Sequence, residues 1–78
     1  MNIIVTFHLV SGLRRSTVVQ AENIEDASEF INGELEDGFA LFDIYKMNGD
    51  ESFSLVNEGV EKFEVYRRHV MCTDYEVQ

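Results

Sequence analysis

Asn23 to Gly38 reads N-I-E-D-A-S-E-F-I-N-G-E-L-E-D-G, and it decides the fold because it is the one stretch with a helical period. Asn23 suits an N-cap, since its side-chain oxygen can accept from a free N–H of the first turn. Asp26 stands three residues later, close to a capping-box position. Glu25 and Asp26 also lie where the helix dipole favours negative charge. At about 100° per residue, Ile24, Ala27, Phe30, Ile31 and Leu35 share one face. Glu25, Asp26, Glu29, Glu36 and Asp37 share the other. Asn32-Gly33 is a competing stop signal, and Glu34 falls at the edge of the apolar face. Because Leu35 keeps the period, the expected helix runs to about residue 36, with Gly38 as its stop. A helix ending at Asn32 is the alternative.

On either side of this helix the period is two. Ile3 to Val10 reads as a strand with Ile3, Val5, Phe7 and Leu9 on one face and Ile4, Thr6, His8 and Val10 on the other. Both faces are fairly apolar, as in a central or covered strand. Ser11-Gly12 signals a turn, and a second strand is expected from about Leu13 to Ala21. Arg14 and Arg15 then lie near the hairpin tip, where basic residues protect an edge; a small anion site is the lesser alternative.

Beyond the helix, Phe39 to Met47 places Ala40, Phe42 and Ile44 opposite Phe39, Leu41, Asp43 and Tyr45. Asn48-Gly49-Asp50 is a hairpin signal. A strand over Glu51–Val56 and a turn at Asn57-Glu58-Gly59 follow. In a last strand, Val60–Arg68, Phe63 and Val65 alternate with Lys62, Glu64 and Tyr66. The order is β-β-α-β-β-β, an α+β domain with one amphipathic helix packed on one face of an antiparallel sheet. It is expected to form a single domain over 1–78, with an ordered core at 1–68. The tail, 69–78, reads as an edge strand or a frayed end.

The chain has 78 residues, 45% of them apolar, including six Phe and three Tyr, so a core can form. One cysteine, Cys72, makes no internal disulfide and fits a reducing compartment. No apolar run nears the roughly 20 residues of a membrane span. Met1–Val10 lacks the basic region of a signal peptide. A cytoplasmic location is expected.

Charge is the strongest compositional fact. Fifteen acids oppose six bases, for a net of −9. No base occurs between Arg15 and Lys46, yet that segment holds Glu22, Glu25, Asp26, Glu29, Glu34, Glu36, Asp37 and Asp43. Such a field repels nucleic acid and anionic membranes and attracts basic partners. The plainer reading is that the acids serve solubility.

No catalytic signature accompanies the acids. His69 precedes Cys72 by three residues without a helix to hold them together, and His8 alternates with apolar residues as a half-buried strand residue does. The five glycines are isolated and make no phosphate loop. Two His and one Cys, far apart in sequence, do not spell a zinc motif. Asn48-Gly49-Asp50-Glu51 lacks the ligand spacing of a calcium loop. No catalytic residue, metal site or cofactor is therefore expected. The candidate binding surface is the eight acids. Unrelieved like charges on one helix face cost a little stability, which hints at a role beyond solubility.

In small size, net charge, lack of an active-site motif and acidic helix on a β scaffold, the chain resembles phage-encoded host-takeover proteins, including DNA mimics. The resemblance implies a non-enzymatic inhibitor in the host cytoplasm that occupies the basic surface of a DNA-binding protein. Lys62, Arg67 and Arg68 depart from a uniformly acidic mimic and suit a homodimer in which one copy's tail meets the other's acidic surface. The alternative function is a self-associating structural or regulatory module.

Overall fold

The computed structural model describes residues 1–50 and 52–78. It is built on strand β1 (Asn2–Leu9), which lies at the centre of a three-stranded antiparallel sheet. β2 (Arg14–Gln20) pairs on one side and β7 (Val70–Val77) on the other. Ile3, Val5 and Phe7 on one face of β1 are completely buried. Ile4, Thr6 and His8 on the opposite face are half-exposed. The two-sided apolar character of β1 follows from its central position.

Helix α1 (Ile24–Glu34) covers the buried face. Its start is as the sequence indicates, with Asn23 Oδ1 accepting from the Asp26 N–H at 2.8 Å. Its end lies between the two expected positions. Leu35 N–H still donates to Ile31 O at 3.1 Å, and Gly38 N–H closes the turn onto Leu35 O at 2.9 Å. Gly38 adopts φ +99°, where an L side chain is strained. Asn32-Gly33 does not stop the helix. The buried stripe is also narrower than the sequence suggests. Ala27, Ile31 and Leu35 are buried, whereas Ile24 and Phe30 are 43% and 50% exposed. Ile24 opens the first turn beside Met1 and Val77, and Phe30 lines the rim of a groove shared with Leu41.

A second layer comes from β3 (Phe39–Asp43) paired with β6 (Lys62–Tyr66). The cross-strand pairs Ala40–Val65 and Phe42–Phe63 point into the core. Phe42 meets Phe7 at 5.1 Å between ring centroids and Phe63 at 5.9 Å. Arg15, opposite Phe7, lies 4.8 Å over the Phe63 ring and closes this cluster.

The expected single strand from Phe39 to Met47 is divided at Ile44. The Asp43 carbonyl accepts from the Thr17 hydroxyl at 3.0 Å, and the Ile44 carbonyl accepts from Val56 N–H at 2.9 Å. These bonds end the ladder to β6, and the chain continues as β4 (Tyr45–Met47), paired with β5 (Phe53–Leu55). Asn48 fixes that hairpin through Ser52 and Ser54. Of the expected strand Glu51–Val56, Glu51 lies outside the described residues. Asn57, Glu58 and Gly59 turn the chain with three consecutive positive φ values. Val60 is exposed, so the following strand is shorter than Val60–Arg68. Seven antiparallel strands and one helix among the described residues thus form an α+β fold. None of its helices is long and apolar enough to cross a membrane.

Candidate functional site

The acid-rich segment begins in the loop before α1 and ends in the turn after it. Burial of Ala27, Ile31 and Leu35 aims the opposite helix surface at solvent. Glu25, Asp26, Glu29 and Glu34 are exposed on α1, Glu22 precedes it, and Glu36 and Asp37 follow it. Glu25 and Asp26 occupy the first turn, and the last turn holds no base. The expected acidic face of Glu25, Asp26, Glu29, Glu36 and Asp37 is therefore part helix and part turn.

Asp43 stands apart from the other seven. It is half-buried on β3, directly across from Lys62, and its carboxylate forms an ion pair with the Lys62 ammonium. Partial burial and then the Asp43 carboxylate push the neighbouring Tyr45 hydroxyl up from its usual range, with Lys62 opposing. Among the described residues the ion pairs are Lys62–Asp43 and His8–Asp74. None of the seven acids from Glu22 to Asp37 takes part in either.

Beside this surface lies a groove of about 240 Å³, lined in part by Phe30, Glu34, Leu41, Asp43 and Lys62. Phe39 and Leu41 continue the apolar exposure along the outer face of β3, where Phe39 faces Tyr66 at 6.0 Å. Of the seven acids, Glu34 thus borders half-exposed aromatic and aliphatic side chains that composition alone does not place.

The basic residues of the tail region are also distributed. Arg68 lies 5.6 Å over the Tyr66 ring, and His69 lies 5.6 Å from the same ring. His69 therefore packs on Tyr66, and His8, from the other end of the chain, faces Cys72 across the β1–β7 ladder. A separation of 64 positions hides that neighbour in the sequence, and only the pairing of the tail with β1 reveals it.

No family model, curated protein or solved structure matches this chain.

Proposed function

We propose that the chain is a non-enzymatic acidic binding protein, an inhibitor that mimics nucleic-acid charge and occupies the basic DNA-binding surface of a host DNA-binding protein. The observation that carries this reading is the stretch from Glu22 to Asp37, whose seven exposed carboxylates form no ion pair among the described residues. Eleven helical residues span roughly 16 Å. One strand of B-DNA carries about five phosphates along the same distance. Four carboxylates on α1, with three more at its ends, supply a comparable linear charge. The helix is held by its buried stripe, so the array is fixed before the partner arrives. Association is then fast and salt-sensitive.

The test is affinity capture at low and moderate salt, followed by competition with duplex DNA. A basic nucleic-acid-binding protein should be retained and then displaced by DNA. Reversal of Glu25, Glu29 and Glu36 to Lys should abolish capture while leaving the circular dichroism spectrum intact. Unchanged binding by that triple variant, or recovery of no basic partner, refutes the proposal.

The exposed edge of the main sheet favours a second reading. β7 is a terminal strand of the β2-β1-β7 sheet and carries exposed Met71 and Val77. Such an edge accepts another strand, as a self-associating module requires. Sedimentation separates this reading from a strictly monomeric inhibitor.

A further inference from the structure

On the face of the main sheet opposite α1, β1 and β7 bring His8, Cys72 and Asp74 together. Their ligand atoms all lie within 4.8 Å of one another. His8 Nε2 is 2.6 Å from Asp74 Oδ2. His8 and Cys72 are direct cross-strand partners, and Asp74 is two residues further along β7, opposite Thr6. Cross-strand neighbours on one face have Cβ atoms roughly 4.5–5.5 Å apart, so the strands themselves hold the three side chains together.

The geometry points to a binding site for a borderline-soft divalent cation of the zinc class, with His8 nitrogen, Cys72 sulfur and Asp74 oxygen as ligands and one position left to water. Mixed nitrogen, sulfur and oxygen donors suit zinc. Ideal tetrahedral bond lengths require ligand atoms roughly 3.3–3.7 Å apart. The His8–Asp74 contact therefore opens by about 1 Å, and the widest separation closes by up to about 1.5 Å. Exposed Cys72 and Asp74 have the freedom to make that shift, while half-buried His8 provides the fixed point. On binding, the Cys72 thiol proton leaves to solvent, because the metal takes sulfur as thiolate.

Two further features bear on the site. The ladder steps from His8–Cys72 to Leu9–Val70, leaving Met71 as a bulge immediately beside Cys72; bulges recur where a strand re-aims a side chain. Against the site, Arg14 of β2 flanks His8 on its other side. Its positive charge opposes a cation, so the Arg14→Ala variant should bind more tightly.

The test uses the full chain, reduced and stripped with chelator, titrated with Co²⁺ and then Zn²⁺. One equivalent of Co²⁺ should give the visible bands of a tetrahedral site and a thiolate-to-cobalt charge-transfer band, both erased by Zn²⁺. Cys72→Ser should remove the charge-transfer band. Cys72→Ser and His8→Ala should each weaken Zn²⁺ binding about tenfold or more, with circular dichroism unchanged. Glu25→Gln with Glu29→Gln should leave affinity unaltered, and Arg14→Ala should raise it severalfold. Absence of the charge-transfer band overturns the proposal. So does a Zn²⁺ affinity that Cys72→Ser and His8→Ala do not change, which assigns the ion to surface carboxylates. Half an equivalent of metal with a dimer in sedimentation overturns the intrachain site.

Discussion

Gly33 and Gly38, near neighbours in sequence, should respond oppositely to the same added methyl group. Gly33 is inside α1, next to its last residue, and is not among the glycines with positive φ. A Cβ built at Gly33 meets no atom within 4 Å. Gly33→Ala therefore removes unfolded-state freedom without a clash. The gain for a helix interior is about 0.5–1 kcal/mol, with the lower end expected in the last turn. For a domain of this size, 0.5 kcal/mol corresponds to a rise of about 2–4 °C in Tm. Gly38 also has open space around its missing Cβ, but its φ is +99°. Gly38→Ala therefore meets only backbone strain, about 1–2 kcal/mol, and Tm should fall by about 4 °C or more. Thermal melts followed by far-ultraviolet circular dichroism decide the matter. A fall in Tm for Gly33→Ala would mean that Asn32 ends the helix and Gly33 is its left-handed cap. The placement of Glu34 on a helical surface would then fail with it.

Phe42→Ala should cost about 3–5 kcal/mol in urea unfolding, because it opens the Phe7–Phe42–Phe63 cluster at its middle ring. That is a large share of the stability of any domain this small, so a loss below about 1 kcal/mol would contradict the packing. Thr17→Val keeps the shape of a buried side chain but removes its bond to the Asp43 carbonyl, and should cost about 1–2 kcal/mol. The Ser52 hydroxyl and then the Ser52 backbone N–H hold the Asp50 carboxyl below the ordinary carboxylate range. A depressed folded pKa adds stability that is present above the unfolded value and lost as pH falls through the folded one. An NMR titration of Ser52→Ala should accordingly show the Asp50 midpoint move up.

Much of the architecture was legible because local rules and tertiary demands agree. Asn23 caps the helix, Phe63 and Val65 face inward, and Lys62, Glu64 and Tyr66 face outward, as strict alternation requires. The departures come from long-range contacts. Ile24 and Phe30 have the right period, but Ile24 opens the first turn and Phe30 stands at the rim of the groove beside Leu41, so both stay half-exposed. The break at Ile44 depends on Thr17 and Val56, which supply hydrogen bonds from distant positions. Asp43 looks like one more acid in a base-free segment, yet β3–β6 register delivers Lys62 to it. Local sequence contains no trace of that neutralisation.

The tail is the clearest case of a pattern that one backbone feature conceals. Val70 packs on the core, as does Tyr75, yet they have opposite parity in sequence. A regular strand cannot turn both inward, and for that reason the stretch reads as mixed. The bulge at Met71 resolves the conflict by changing parity between Val70 and Cys72. After it, Thr73 and Tyr75 follow the core face, while Cys72 and Asp74 follow the face of Thr6 and His8. A bulge-free strand that kept Val70 inward would carry Cys72 inward as well, away from His8. The same unpaired residue therefore accounts for the weak strand signal, the exposure of Met71 and the meeting of His8 with Cys72. It also keeps the two proposed sites on opposite sides of the molecule, since α1 and its carboxylates cover the face that His8 does not share. A cation at His8, Cys72 and Asp74 should accordingly leave recognition through Glu25 and Glu29 intact.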